Sequence, residues 1–301
     1  MELTFFGVRG STPCDGPEFA RFGGNTSCVV VEAAGHPPVI LDLGTGLRSY
    51  GSAVEAARED PAAVEPYRAS VLLTHLHWDH VQGLPFFAPL FRADATVEVF
   101  GPHHDDGPLA ELFAGLMCPP YFPIRPDDLA ADLRFTDVGD DTFDAGDAKV
   151  TSRRVPHTGP TLGFRVELAG RRIAYLPDHG PDCHAGAASA IAPAVLELCD
   201  GVDLLIHDAQ YTPEEYEERP TWGHSTIDYA LHVAQESGAR SLALFHHDPA
   251  HSDDALDALV DQAVDRARRL DIPSVFAAHD SQRVTFEPVH AASGSPIRGL
   301  P

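Results

Sequence analysis

Cysteine is scarce and scattered: Cys14, Cys28, Cys118, Cys183 and Cys199 stand far apart, and no Cys-x-x-Cys pair occurs. That excludes a disulfide-stapled scaffold and argues against a structural zinc held by paired thiolates. The five read as reduced thiols of a protein whose expected location is the cytoplasm. Lysine is scarcer still, with Lys149 alone, and 21 basic residues face 45 acidic ones for a net charge of −24. So acidic a chain lacks the basic footprint that displaces counterions from a polyanion, which disfavours a long nucleic acid as partner. No apolar run nears the roughly eighteen residues of a membrane span, so no membrane partner is expected. The opening Met1-Glu2-Leu3-Thr4-Phe5-Phe6 carries an acid and turns at once into a strand-like run, unlike a secretory signal.

Histidine, in contrast, is plentiful and in one place dense. In Thr74-His75-Leu76-His77-Trp78-Asp79-His80, three imidazoles and a carboxylate follow the apolar run Val71-Leu72-Leu73. Neutral imidazole and carboxylate suit borderline divalent metals: zinc or manganese first, with iron or cobalt as alternatives. A strand ending in this loop carries His75 and His77 on one side while Asp79 and His80 turn toward a second centre, so two divalent ions are expected. A histidine-rich surface or one closed structural zinc is the blander alternative.

The chain has 301 residues, 44% of them hydrophobic and 22% charged, which suits one soluble α/β domain over residues 1–301. Strands are expected at Leu3 to Val8, Cys28 to Glu32, Val39 to Asp42 and Val71 to Thr74, with a helix from Arg48 to Arg58 ended by Pro61. The aromatic and proline-rich stretch from Gly83 to Asp128 reads as a wall or lid over the metal loop, or as core packing. Further strands are expected at Lys149 to Val155, Leu162 to Leu168, Arg172 to Leu176, Asp203 to His207 and Leu242 to Phe245. Helices are expected from Ala185 to Leu198, from the N-cap Ser225 through Ser237 with Gly238 closing it, and over the amphipathic Asp253 to Leu270. Two similar halves with helices outside packed sheets follow from this order.

Two metals need more ligands than one loop supplies. His157 follows Arg154-Val155-Pro156, Asp178 follows Ile173-Ala174-Tyr175-Leu176-Pro177, and His246 follows Leu242-Ala243-Leu244-Phe245. Each stands where an apolar strand gives way to a loop, so all three could converge on one edge of a sandwich. With these residues the chain, over about residues 3 to 287, resembles the metallo-β-lactamase-fold hydrolases. The resemblance implies an αββα sandwich of two mixed β-sheets with helices on the outer faces. It implies further that His75, His77 and His157 hold one metal, that Asp79, His80 and His246 hold the other, and that Asp178 bridges them, with Asp42 ordering the loop from behind. His247 competes with His246 for the last position; His246 directly ends the strand and is preferred.

Within that fold the chain looks most like the branch of ribonuclease Z and the phosphoribosyl cyclic phosphodiesterases. Gly7-Val8-Arg9-Gly10-Ser11-Thr12-Pro13, Gly24-Asn25-Thr26-Ser27 and Leu41-Asp42-Leu43-Gly44-Thr45-Gly46 match its N-terminal style, and Leu205-Ile206-His207-Asp208-Ala209 with Gly223-His224-Ser225-Thr226 match its later motifs. By that likeness Asp208 and His224 form a dyad serving the leaving oxygen, with Asp where ribonuclease Z usually has Glu. His103, His104, His179, His184, His207, His251 and His279 are expected to be non-catalytic, while His103, His104, Arg9 and Asn25 are weak candidates for the pocket rim. Ribonuclease Z carries a long tRNA-binding arm between its third-motif His and its bridging Asp; here only 20 residues separate His157 from Asp178.

Bound divalent metals lower the pKa of water toward about 7, so hydrolysis is the expected chemistry, with Asp79 in the catalytic centre and His224 as general acid. The expected substrate is a small phosphodiester, cyclic or nucleotide-like. An acyl hydrolase (lactonase, thioesterase or β-lactamase-like) is the second reading, and it gives the Asp208/His224 pair no task. A non-catalytic metal-bound sensor is the third. A homodimer is compatible with all three.

Overall fold

The computed structural model describes residues 1–58, 66–181 and 190–287. In chain order it begins with β1 (Glu2–Gly7), β2 (Cys28–Glu32), β3 (Val39–Leu41), α1 (Gly46–Ala56) and β4 (Tyr67–Leu72). The single turn α2 (Trp78–Val81) leads to β5 (Ala95–Pro102), α3 (Leu109–Leu116) and β6 (Asp132–Val138). An antiparallel run follows, β7 (Thr142–Ala145), β8 (Ala148–Arg154), β9 (Leu162–Leu168) and β10 (Arg171–Leu176). Then come α4 (Pro193–Cys199), β11 (Leu204–Asp208), α5 (Pro213–Glu218), α6 (Ile227–Ser237), β12 (Leu242–Phe245), α7 (Asp253–Arg269), β13 (Val275–Ala277) and β14 (Arg283–Thr285).

The strands form two mixed seven-stranded sheets, in the orders β14-β1-β2-β3-β4-β5-β6 and β13-β12-β11-β10-β9-β8-β7. Strand alternation divides the apolar residues between layers. Leu3, Phe5, Val29 and Val31 of the first sheet meet Phe164, Tyr175, Ile206 and Phe245 of the second in a shared central core. The alternate residues face outward: Val30, Ile40, Val71 and Val97 pack under Leu47 of α1 and Phe113 of α3. On the opposite outer face, Ala174, Leu205 and Leu244 pack under Leu198 of α4, Val233 of α6 and Ala263 of α7. This is the αββα sandwich with external helices.

Several element boundaries move by a residue or two. Helix α6 is capped by Thr226, whose hydroxyl accepts from the Tyr229 amide at 3.1 Å, and not by Ser225. The Ser225 hydroxyl instead donates to the His179 carbonyl, so tertiary bonding overrides its local capping tendency. Gly238 closes the helix in the left-handed conformation, φ 64°. Pro61, Cys183, His184 and the start of the expected helix at Ala185 lie outside the described residues; α4 begins at Pro193. The stretch read as a wall or lid holds the core strand β5 and the helix α3, and Leu84, Phe87 and Leu90 are fully packed in the outer core. Among the described residues no helix is long and apolar enough to cross a membrane, and Cys14, Cys28, Cys118 and Cys199 are free thiols.

The sheets are fastened to each other by aromatic contacts: the Phe5 ring lies 6.1 Å from Phe245 and 6.3 Å from Phe276, across the sandwich. Phe5→Ala is expected to cost about 3–5 kcal/mol of unfolding free energy with an unchanged denaturant slope. A loss below about 1 kcal/mol in urea titration would show that this contact does not fasten the layers.

Candidate metal centre

The sequence places chemistry where strands end. Asp42 follows β3, the His75 to His80 loop follows β4, His157 follows β8, Asp178 follows β10, Asp208 ends β11 and His246 follows β12. All of them meet at one edge of the sandwich.

Asp178 is the hub, with its two oxygens facing different partners. Its Oδ1 is 2.9 Å from His80 Nε2 and 3.2 Å from His246 Nε2. Asp79 Oδ2 completes that set at 3.2 Å from His80 Nε2 and 3.1 Å from His246 Nε2. Asp178 Oδ2 is 3.7 Å from His75 Nε2 and 3.6 Å from His157 Nε2, and His77 Nδ1 closes the second set at 3.4 Å from His157 Nε2. Donor atoms on a tetrahedral ion with bonds of about 2.0–2.1 Å lie about 3.3 Å apart, so both sets have the size of a metal shell. His75 Nε2, His80 Nε2 and Asp178 Oδ1 are buried yet make no hydrogen bond. Leaving such groups bare costs about 1–3 kcal/mol each, and a divalent cation is what this donor chemistry satisfies. The arrangement could hold one ion with His75, His77, His157 and Asp178 and a second with Asp79, His80, His246 and Asp178.

The far nitrogens explain why the near ones point inward. His80 Nδ1 donates to Asp42 Oδ2 at 2.7 Å, His157 Nδ1 to the Gly223 carbonyl at 2.7 Å, and His246 Nδ1 to Gln210 Oε1 at 2.9 Å. Each bond fixes a tautomer whose Nε2 lone pair faces the cluster. Asp42 also accepts from the Thr74 amide at 2.7 Å and the Tyr175 hydroxyl at 2.9 Å. Asp79 is aimed by the Ser11 amide, 2.8 Å from its Oδ2. His247 donates through Nε2 to the Ala278 carbonyl at 2.9 Å, away from the cluster, which leaves the position to His246.

Backbone geometry reinforces this. Asp42 and His246 both sit in the left-handed region, at φ 59° and 60°, a strain that the surrounding bonds sustain. Gly10 packs on His246 so closely that a Cβ there would lie 2.4 Å from Nδ1, and one on Gly223 would lie 2.5 Å from His157 Nδ1. Gly10 of the opening motif and Gly223 of the Gly223-His224 motif therefore have the same task, clearing space for a histidine ring.

Charge follows burial. Burial pushes His75, His77 and His157 below the usual imidazole range, toward the neutral form that binds metals. Burial opposes the ionisation of Asp178, but His246, His80 and His75 outweigh it and hold the carboxyl well below its usual range. His80 behaves oppositely: burial lowers it, yet Asp178, Asp79 and Asp42 outweigh burial and raise it.

Beside the cluster, His224 Nδ1 donates to Asp208 Oδ2 at 2.7 Å, and its ring stacks on His246 at 5.0 Å. The shorter acid reaches because Asp208 is fixed from three sides: its Oδ1 accepts from the Gln210 and Ser225 amides, each at 3.1 Å, and its Oδ2 from the His179 amide at 3.3 Å. Burial works against charge on His224, but Asp208 outweighs it and raises the group to about 9. Behind the dyad His179 and His207 are fully buried and hydrogen-bonded to each other at 3.1 Å. A pocket of about 400 Å³ opens at the dyad, lined by His157, Thr158, Tyr216, Thr221 and His224 among others.

Arg9 is not a rim residue, and Asn25 is half-buried. Arg9 is fully buried, donating to the Gly23 and His251 carbonyls, each at 2.8 Å. Asn25 donates to Asp280 Oδ2 at 2.8 Å. Both tie the N-terminal loop to the last elements. Gln210 carried no sequence signal as a site residue, because a glutamine after a strand is commonplace.

A two-sheet sandwich with a histidine and aspartate cluster at its edge defines a hydrolase of the metallo-β-lactamase type. The family model described as "Beta-lactamase superfamily domain" matches residues 39–247, and the chain belongs to that family. It is 24% identical to a ribonuclease Z of Haloarcula marismortui, over 88% of this chain and 91% of that protein. The fold is also that of the metallo-β-lactamase fold protein YhfI from Bacillus subtilis, at a TM-score of 0.66 and 19% identity, with 94% of this chain and 98% of that one covered. A diphosphatase from the PhnP family aligns at a TM-score of 0.65 and 20% identity, over 95% and 98% of the two chains.

Gln210→Met keeps the bulk but removes the acceptor from His246 Nδ1. Titration calorimetry with zinc or manganese is expected to show affinity weakened about 10–100-fold. An unchanged isotherm would contradict the orienting role.

Proposed function

We propose that the protein is a dinuclear metal-dependent phosphodiesterase acting on a small phosphodiester, cyclic or nucleotide-like. The observation that carries this reading is the 2.7 Å Asp208–His224 pair facing the cluster, because only a poor, alkoxide-like leaving group needs a proton delivered there. Bound divalent ions, zinc or manganese, would supply Lewis acidity toward the phosphate oxygens and a water of pKa near 7. His75, His77, His157 and Asp178 would hold one; Asp79, His80, His246 and Asp178 the other.

The protein's own contribution is placement and proton transfer. His224 is bonded through Nδ1, which leaves Nε2–H free to protonate the departing oxygen. Asp208 keeps the ring charged and aligned. With the group raised to about 9, the acid form prevails at neutral pH and is lost as pH rises through that value; neutralising Asp178 and Asp79, which also raise it, would move the value down.

A nuclease acting on RNA ends is the competing reading, favoured by relatives that are named ribonuclease Z. Against it stand the net charge of −24 and the 20 residues between His157 and Asp178, too few for an RNA-binding arm. A precursor tRNA cleaved with higher kcat/KM than any small diester would decide for the nuclease.

His224→Ala is expected to lose about 10²–10⁴-fold in kcat on a dialkyl phosphate while retaining metal content. The loss should shrink sharply on bis(p-nitrophenyl) phosphate, whose leaving group departs unprotonated. Wild type should show an alkaline fall in rate that the variant lacks, and Asp208→Asn should show the same pattern more mildly. Equal losses for both leaving groups would remove the acid role, and a lactone or thioester preferred over every diester would overturn the phosphodiesterase reading.

A further inference from the structure

Beside the metal loop lies a second cavity, of about 200 Å³, whose lining includes Trp78, Phe86, Phe113, Met117, Tyr121 and Phe122. Its walls combine a packed base with rings left in solvent. Phe113 is buried, whereas Trp78, Phe86 and Tyr121 are 62%, 55% and 80% exposed. The Phe86 and Phe122 rings meet edge to face at 5.9 Å, which fixes two of the walls. Exposed rings gathered around a concavity mark a place where something apolar is bound.

Position identifies the occupant. Trp78 stands in the sequence between His77 and Asp79, whose donor atoms belong to the two opposite metal-ligating sets. Trp78, Val81 and Gln82 of the lining belong to the same loop and turn as His77, Asp79 and His80, so a group in the cavity rests on the segment that carries metal-ligating side chains. The volume is below the roughly 300–1,000 Å³ that whole drug-sized ligands fill, so it suits a single substituent. The pocket at His224, with Thr158, Tyr216 and Thr221, lies where the leaving oxygen is protonated and takes the departing group. The cavity at Trp78 is left for the group that stays on phosphorus. A second copy of the chain is the other occupant such rings could take, and it is an outcome of the test below.

We infer that this cavity is a subsite for a flat aromatic ring, an aryl group or a nucleobase, carried on the retained side of the phosphodiester. The inference rests on the phosphodiesterase reading for the words "retained side", and on the cavity alone for the aromatic ligand. Stacking on such rings tolerates any base, because every base has a π face.

The test compares substrates that share one leaving group. The p-nitrophenyl ester of thymidylate and bis(p-nitrophenyl) phosphate carry a retained ring; methyl p-nitrophenyl phosphate does not. For wild type the ratio of kcat/KM between ring-bearing and methyl substrates is expected to be at least about tenfold, and Phe86→Ala and Trp78→Ala should each cut it about 5–10-fold. Which ring-bearing ester gains more tells base from aryl. The ratio cancels any shared loss of metal or folding. A wild-type ratio near one, or a ratio unmoved by both substitutions, overturns the inference. Binding is read separately: Trp222→Phe leaves Trp78 as the only indole, and thymidylate should quench its fluorescence, less so when Phe86→Ala is added. Quenching without turnover of any diester would sink the phosphodiesterase reading and keep the aromatic site. A dimer that Tyr121→Glu dissociates in sedimentation, with the substrate ratio unchanged, would make the rings a subunit interface and refute the subsite.

Discussion

One buried carboxylate organises the centre. Asp178 is almost fully enclosed, and its two oxygens face two different groups of histidines at 2.9 to 3.7 Å. A charge so placed is costly unless cations compensate it, and a buried anion left alone would protonate instead. The histidines around it cannot all carry charge, because burial and mutual repulsion keep His75, His77 and His157 neutral. Donor spacing and the bare buried atoms therefore suit the binding of divalent cations at this cluster.

The rest of the sandwich serves to bring loops from distant strands to that carboxylate. Asp42 and His246 leave their strands through left-handed residues, and the cost of each is met by bonds around it: Thr74, Tyr175 and His80 on Asp42, Gln210 on His246. Gln210 links two tasks, since its side chain orients His246 while its backbone amide holds Asp208. Orientation of a cluster histidine and of the proton donor thus depends on one short segment after β11.

Much of this was legible in the sequence, for physical reasons. Strands buried on both faces are near-continuous apolar runs, so the bounds of Cys28–Glu32 and Leu242–Phe245 could be read directly, while Leu162–Leu168 shows itself by the alternation Phe164, Val166, Leu168 against Arg165 and Glu167. Chemistry at strand ends stands out against such runs, which is why His157, Asp178 and His246 could be picked out and why they gather with the His75 to His80 loop. What escaped was tertiary. Ser225 looked like a cap, but its hydroxyl serves His179, and in Gly83 to Asp128 prolines and aromatics masked β5 and α3, so that stretch left core packing and a wall undivided. Arg9 resembled a rim residue, and only the fold shows it buried among carbonyls. Gln210 and Tyr175 bear no mark in one dimension, since their roles come from partners 36 and 133 residues away.

Metal content at saturation tests the central claim most directly. Elemental analysis of the purified, reconstituted protein should give two divalent ions per chain, and Asp178→Ala should lose at least one of them while the far-ultraviolet circular dichroism stays unchanged. A single ion per chain at saturation, or full metal content in Asp178→Ala, would contradict a pair organised by that carboxylate.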